Sequence, residues 1–237
     1  MSDYFKFEDE GEDFPFYNGI PNLSIVEWII LALAPILVAL ITIYDLFPYG
    51  TIQICYFLVT IIPVAIVCHG KLGLLFKKPK LNDFKVIIVC VILYLVWGAV
   101  AALIGKSLGF TVVQNGMAAT PLSIWDAVLV LIQLMAEDIF KVSILLIAMA
   151  LIYYFTKNRK TALISGILAS MVIFGLIHMG SYNNNLYQCI AIIGMGTVIH
   201  LYPYLKTKNI FNTYFTHIII DLGILGFINL VMTLFMH

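Results

Sequence analysis

Long apolar runs make up most of the chain, and short polar stretches separate them. A helix that crosses a bilayer needs about 20 mostly apolar residues. Strands are not expected, because polar and apolar residues do not alternate and the runs far exceed the ~10 residues of a transmembrane barrel strand. The pattern predicts an all-α fold, a polytopic membrane helical bundle with about seven transmembrane helices. The predicted spans cover residues 25–46, 51–68, 84–105, 124–156, 162–179, 186–204 and 209–235.

The fourth run is too long for one perpendicular span. It is either tilted or begins as an interfacial helix at PLSIWDAV, where Ser123 is the candidate N-cap.

Composition agrees with a membrane protein. Hydrophobic residues make up 62% and charged residues 11% of the 237 residues, whereas an ordinary soluble domain is about 45–50% apolar and about 25% charged. The zero net charge and the lack of a basic, aromatic stripe give no indication of nucleic-acid binding. The cysteines show no CxxC spacing, so we expect free thiols packed within helices.

Basic residues concentrate in alternate loops. Ten of them follow the second, fourth and sixth predicted spans, whereas the intervening loops contain one, Lys106. Because cytoplasmic loops of membrane proteins carry an excess of Lys and Arg, we expect the N-terminus in the cytoplasm and the C-terminus outside. The ten are Lys71, Lys77, Lys78, Lys80, Lys85, Lys157, Arg159, Lys160, Lys206 and Lys208.

The N-terminal segment is acidic and aromatic, and it lacks the features of a signal peptide. We interpret residues 1–24 as a cytosolic tail and residues 25–237 as a single transmembrane helical domain. A tail of this composition is typically solvated. The alternative is that it docks through its aromatic side chains, Phe5, Phe7, Phe14 and Phe16.

Polar side chains interrupt the fourth span. Gln133, Glu137 and Lys141 recur at intervals of four and share one helix face, and Asp138 lies beside them. A charged residue at mid-span costs about 2.5–3.5 kcal/mol on insertion scales, so these residues need an explanation. The structural interpretation is an intrahelical ion pair of Glu137 with Lys141 that reduces this cost.

Later spans add histidines. FGLIH places Phe174 and His178 at i, i+4 in the fifth span, and HIIID places His217 and Asp221 at the same spacing in the seventh. A carboxylate base with imidazoles is a set that activates water. The structural alternatives are a solvated helix end for His178 and a hydrogen-bonded pair of His217 with Asp221. His200 has no spaced partner, and we interpret it as an interface or packing residue.

The three polar segments resemble the motifs of the CAAX protease and bacteriocin-processing (CPBP) family, also called Abi, of intramembrane glutamate proteases. The family's motifs are EExxxR, FxxxH and HxxxN or HxxxD, in this order. The chain has AEDIFK at 136–141, FGLIH at 174–178 and HIIID at 217–221. The resemblance covers about residues 120–225, and the first hundred residues contribute only hydrophobicity.

The first motif fits the family pattern in two ways. If Phe140-Lys141 is laid on the family's Phe-Arg, Glu137 is the second Glu and Ala136 replaces the first, and this alignment leaves a catalytically inactive relative open. If Glu137 is the first Glu, Asp138 is the second and Lys141 comes one residue early. We favour the second alignment, because it keeps adjacent carboxylates and a flexible lysine tolerates a shift better than a rigid guanidinium.

The resemblance implies a role for each residue of the catalytic set. Glu137 would act as general base on a water molecule, with help from His178. His217 and Asp221 would stabilise the tetrahedral oxyanion. Because an ionised carboxylate cannot donate a hydrogen bond, Asp221 would either stay protonated or orient His217.

The supporting residues complete the implied site. Lys141 would hold Glu137 or Asp138 in place, and Phe174 belongs to the second motif. The resemblance implies a metal-free enzyme, and we expect no cofactor. Zinc, with two histidines and two carboxylates as ligands, is the chemical alternative, although HExxH is absent.

The implied activity is an intramembrane endopeptidase that hydrolyses a membrane-associated or lipidated peptide or a membrane protein. We expect a multi-pass protein of the cell membrane of a bacterium, with membrane lipids and a membrane partner protein as its contacts. Two other functions stay open. One is an inactive family member that serves in bacteriocin self-immunity or as a membrane scaffold, and the other is a small transporter that relays protons.

Depth along the helices poses one difficulty for a shared site. At 1.5 Å per residue, His178 lies about 25 Å from the start of the fifth predicted span, and His217 lies about 12 Å from the start of the seventh. The two converge only if the helices are staggered, tilted or broken, which Gly166, Gly175 and Pro203 would allow.

Overall fold

The computed structural model of the chain describes residues 4–113 and 123–235, and of residues 224–235 it describes the backbone alone. Within these ranges all regular structure is helical, which confirms the predicted all-α bundle. A seven-residue π-helical segment, Gln188–Gly194, leads directly into the sixth α-helix. The α-helices are α1 (Ile25–Tyr44), α2 (Thr51–Val67), α3 (Asp83–Ser107), α4 (Ile124–Thr156), α5 (Arg159–Ile177), α6 (Met195–Thr207) and α7 (Ile210–Phe235).

The helices have the length and polarity of membrane spans. Within the described residues, five helical segments are long and apolar enough to cross a bilayer, and α2 is apolar but has only 17 residues. The five are α1, α3, α4, α5 and the continuous stretch Gln188–Thr207. The chain is therefore a multi-pass membrane protein.

Helix α4 is the centre of the bundle. It packs most extensively against α5 and α2, and it also contacts α1 and α7. Ser123 caps its N-terminus in a capping box with Asp126, as the sequence suggested. With 33 residues, α4 is about 50 Å long at 1.5 Å per residue, so it is tilted or projects beyond the ~30 Å hydrocarbon core.

A glycine sets the close approach of α4 and α5. A Cβ atom at Gly166 would lie 2.7 Å from the carbonyl oxygen of Leu145 on α4. No side chain fits at this distance, so Gly166 lets the two backbones meet. The contact holds α5, with its C-terminal histidine, against the polar part of α4.

The described part of the N-terminal tail docks onto the end of the bundle that carries the basic loops. Phe14 and Phe16 are buried in the hydrophobic core, and Phe5 and Phe7 pack against it. The aromatic docking alternative therefore describes the tail better than the solvated one.

Ion pairs hold the tail in the same place. The Glu8 carboxylate is buried between Arg159 (2.6 Å) and Lys208 (2.9 Å), and Asp13 also pairs with Arg159 at 2.9 Å. Burial lowers the pKa of the Lys208 amine, and the hydrogen bond to Glu8 opposes this shift. Nearer the surface, Glu12 pairs with Lys77.

Candidate active site

The polar face of α4 divides into two pairs of side chains. Gln133 Nε2 donates a hydrogen bond to Glu137 Oε1 at 2.8 Å, one turn along the helix. Asp138 and Lys141 form an ion pair of 2.7 Å, and both side chains are fully buried. The cation therefore pairs with Asp138, and the intrahelical Glu137–Lys141 pair does not form. Glu137 keeps 17% of its side chain exposed.

His217 of α7 lies against these α4 residues. Its Nδ1 atom is 3.3 Å from Asp138 Oδ2 and 3.4 Å from Lys141 Nζ. Its Nε2 atom is 3.8 Å from Glu137 Oε2 and 3.6 Å from Asp221 Oδ2. The imidazole thus lies between the buried ion pair on one side and two carboxylates on the other, so the first and third motifs meet in space.

His178 is the C-cap residue of α5, and its orientation is fixed from within the second motif. Its Nδ1 atom lies 2.7 Å from the carbonyl oxygen of Phe174. Because a carbonyl can only accept, Nδ1 carries the proton, and Nε2 of the neutral ring is left as an acceptor. The Phe174 ring packs on His178 at 4.5 Å and receives the Lys141 ammonium at 4.7 Å from its centroid.

A partly open cavity lies between α1, α2, α4 and α5, with about 480 Å³ of space not filled by atoms, including the solvent at its opening. Glu137 and His178 both line it, so the structure brings these two candidate residues to one space. Neither His217 nor Asp221 is among the described residues that line it. Glu137 therefore joins two parts of the site, the cavity on one side and the His217 cluster on the other.

Helices α1 and α2 supply a polar pair to the wall of this cavity. The Thr42 hydroxyl donates to the Val38 carbonyl at 2.8 Å, which uses its only proton. The Tyr56 hydroxyl, 2.9 Å away, must then donate to Thr42. The remaining lone pairs of the Tyr56 oxygen are available as acceptors in the cavity.

His200 of α6, for which the sequence predicts an interface or packing role, lies next to the candidate site. Its buried ring meets the His217 ring edge-on, with centroids 4.6 Å apart, and lies 4.3 Å from the ring of Tyr94 on α3. Its Nε2 atom has no hydrogen-bond partner among the residues that the structure describes. His200 is a packing residue, as interpreted, but its packing partner is a candidate site residue on another helix, a relation that no spacing in the sequence encodes.

The polar groups do not form a metal site. Among the described residues, no group of three or more His, Cys, Asp or Glu side chains is arranged to hold a metal ion. The clustered histidine and carboxylates are instead organised around a lysine, which occupies the position between Asp138 and His217.

Comparison with known proteins places the three motifs in one family. Residues 119–223 match the model of the family described as type II CAAX prenyl endopeptidase Rce1-like. The matched segment contains α4, α5, α6 and the part of α7 with His217 and Asp221. No curated protein and no solved structure matches the chain significantly. The family match confirms the resemblance seen in the sequence: residues 119–223, which carry the candidate site, are similar to the CAAX protease family.

Proposed function

We propose that the chain is an intramembrane endopeptidase that uses Glu137 as the general base on a water molecule. The observation that carries this proposal is the placement of the Glu137 carboxylate. It lines a cavity together with His178, while Lys141, the nearby cation, pairs with Asp138. Glu137 is thus a carboxylate with access to water and no ion pair to Lys141.

The acceptor atoms in the cavity suit a water molecule as their shared ligand. Glu137 offers a carboxylate oxygen and His178 offers Nε2, and a water between them can donate one O–H to each. The water's lone pair then faces away from both groups, toward a scissile carbonyl. Transfer of the proton to Glu137 as the water attacks is general base catalysis.

His217 fits the role of oxyanion donor. In the tautomer whose Nδ1 accepts from the Lys141 ammonium, the proton of the neutral ring lies on Nε2, and in the imidazolium, whose Nδ1 donates to Asp138, Nε2 also carries a proton. Nε2 is 3.6 Å and 3.8 Å from the nearest oxygens of Asp221 and Glu137, which exceeds normal hydrogen-bond lengths of about 2.7–3.2 Å. Its N–H can therefore donate a hydrogen bond to a developing oxyanion, and Asp221 would orient the ring.

The geometry supports the second alignment of the first motif, in which Glu137 is the first Glu. In this alignment the second carboxylate, Asp138, and the motif's cation, Lys141, form the buried pair. The one-residue shift of the cation is accommodated because Lys141 reaches Asp138 across three residues. The pair positions His217 without contacting the cavity.

We infer the class of substrate from the apolar surroundings of the site and the membrane orientation from the basic residues. The substrate would be a membrane-associated or lipidated peptide or a membrane protein, since the site lies within a helical bundle of apolar spans. The ten basic residues in or beside alternate loops support an N-terminus in the cytoplasm, and we expect the protein in the cell membrane of a bacterium. An inactive relative that serves in bacteriocin self-immunity or as a membrane scaffold is the second candidate, which the departure of AEDIFK from EExxxR favours.

Cleavage of a prenylated, fluorogenic peptide by the purified full-length protein in liposomes tests the proposal. We expect turnover by the wild type, loss of about 10²–10⁴-fold with His178→Ala, and no effect of a chelator. His69→Asn, a substitution of an exposed histidine in the loop after α2, is the control and should retain activity. A folded wild type with no cleavage, or activity that a chelator removes, would contradict the proposal and favour the scaffold or the zinc alternative.

A further inference from the structure

A second, larger cavity lies on the outer surface of the bundle, between the start of α1 and the end of α4. It has about 1230 Å³ of space not filled by atoms. Trp28 and Ile29 of α1 form one wall, Ala150 and Leu151 of α4 form the other, and the loop of the tail around Asn18 closes one end. We call it the α1–α4 groove.

The groove has the depth of one membrane leaflet. It runs from Ile25, the first residue of α1, to Ala32, and from Lys157 at the end of α4 to Ile147. These stretches of 8 and 11 residues correspond to about 10–15 Å of helix, and half of a ~30 Å hydrocarbon core is about 15 Å. Its walls are apolar and partly exposed, so within a bilayer the groove faces acyl chains.

A cation stands at the mouth of the groove. Lys157 caps the C-terminus of α4, and its ammonium lies 5.1 Å from the ring centroid of Tyr154 and 5.8 Å from that of Tyr153. Both rings line the groove, and the amide side chains of Asn18 and Asn22 share its rim. Aromatic rings of this kind are enriched at the membrane–water interface.

Among the described residues, the docked tail offers no acidic partner to this cation. Four other basic residues at the same end of the bundle pair with tail carboxylates, namely Lys77, Arg159, Lys206 and Lys208. Lys157 has no carboxylate partner in the described part of the chain. The groove therefore combines an apolar slot of leaflet depth with a positive charge at headgroup height.

We propose that the α1–α4 groove binds one anionic phospholipid of the leaflet on the basic side of the protein. An acyl chain lies between α1 and α4, and the headgroup phosphate lies on Lys157. The groove is separated from Glu137 by at least ten residues of α4, about 15 Å, and it involves α1 and the tail, which lie outside the family match. The proposal is thus independent of the proteolytic function.

Lipid retention measured by native mass spectrometry on the full-length protein tests this site. The protein is exchanged into mixed micelles that contain phosphatidylglycerol, phosphatidylcholine or a prenylated cysteine methyl ester. An interfacial lysine contributes about 1 kcal/mol toward anionic lipid, so we expect about fivefold preference for phosphatidylglycerol over phosphatidylcholine. Inorganic phosphate alone should not compete, because it lacks the chain that fills the slot.

Two variants and a matched control test whether the lipid preference depends on the α1–α4 groove. Lys157→Gln should remove the preference for the anionic lipid, and Ala150→Phe should reduce retention of both phospholipids by filling the slot. Lys160→Gln removes the same charge at the same end of the bundle outside the groove and should leave the preference intact. Equal retention of both lipids by the wild type, the same loss in both lysine variants, or retention of the prenylated ester alone would overturn the proposal. Since Lys157→Gln alters an exposed residue, the test does not depend on whether Ala150→Phe folds.

Discussion

The Lys141 ammonium lies 2.7 Å from the Asp138 carboxylate, and both side chains are fully buried. This pairing satisfies the one cation of the polar face of α4 and leaves Glu137 to the cavity. It also places two charged groups beside His217 Nδ1, so the pair fixes the histidine from the side that faces away from the cavity.

The buried pair should be essential for folding stability. Asp138→Asn leaves Lys141 as an uncompensated buried charge, and we expect a loss of about 3–5 kcal/mol in the free energy of unfolding. The double variant Asp138→Leu with Lys141→Met removes both charges and should recover most of this loss. Reversible unfolding in mixed micelles measures the effect. A single variant as stable as the wild type would show that Lys141 has another partner.

His200 offers a test of ring packing next to His217. His200→Ala leaves a cavity against the His217 ring, and we expect a destabilisation of about 2–5 kcal/mol, as for other large buried side chains. His200→Phe keeps an aromatic ring, although a larger one, and removes a nitrogen that has no described partner, so it should cost less than His200→Ala. If thermal unfolding shows equal losses for the two variants, Nε2 makes a hydrogen bond that matters.

The close approach of α4 and α5 should not tolerate a methyl group. Gly166→Ala puts a Cβ 2.7 Å from the Leu145 carbonyl oxygen, and overpacking of this kind costs about 1–3 kcal/mol. Gly98 of α3 is the matched control, because nothing lies within 4 Å of a Cβ there. Gly98→Ala should be neutral or slightly stabilising, since alanine favours helix. Denaturation of both variants under the same conditions gives the comparison, and equal effects would contradict the packing.

Burial of the Lys208 amine beneath the docked tail should make the free energy of unfolding depend on pH. Burial lowers the pKa of Lys208 in the folded state below its ordinary value of 10.5, so the unfolded chain binds more protons between the two values. Stability contributed by this group therefore rises with pH over that window and levels off above 10.5. The unfolding free energy of wild type minus Lys208→Met, followed from pH 7 upward, should show this rise. A difference that stays flat or falls with pH would contradict a lowered pKa of the Lys208 amine in the folded state.

The sequence predicted the helices well, because apolar length is a local property. The fifth helix was expected at 162–179 and occupies Arg159–Ile177, since Asn158 caps it three residues earlier. The sixth was expected to end at 204, but it runs to Thr207 through Pro203. Membrane helices accommodate an internal proline, and α6 continues through Pro203, whose own carbonyl accepts a hydrogen bond from the Thr207 hydroxyl.

The candidate site was predictable in part. The i, i+4 spacings predicted Glu137, His178, His217 and Asp221 as candidates. The structure brings Glu137 and His178 to one cavity, and it places His217 with Asp221 on the other side of Glu137, although the depth along the helices argued against convergence. The sequence could not predict that Lys141 pairs with Asp138. The Asp138 carboxylate also contacts His217, which lies 79 residues away along the chain. The docking of the tail likewise depends on charges at the far end of the sequence.

The central claim is that Glu137 is the general base, and the rate of peptide cleavage by Glu137→Gln in liposomes tests it most directly. The variant keeps the shape and the Gln133 neighbour but cannot take a proton, so we expect kcat to fall by about 10²–10⁴-fold with the unfolding transition unchanged. Glu10→Gln, the same change at an exposed position of the tail, should cleave like the wild type. Retention of wild-type kcat by Glu137→Gln would contradict the account.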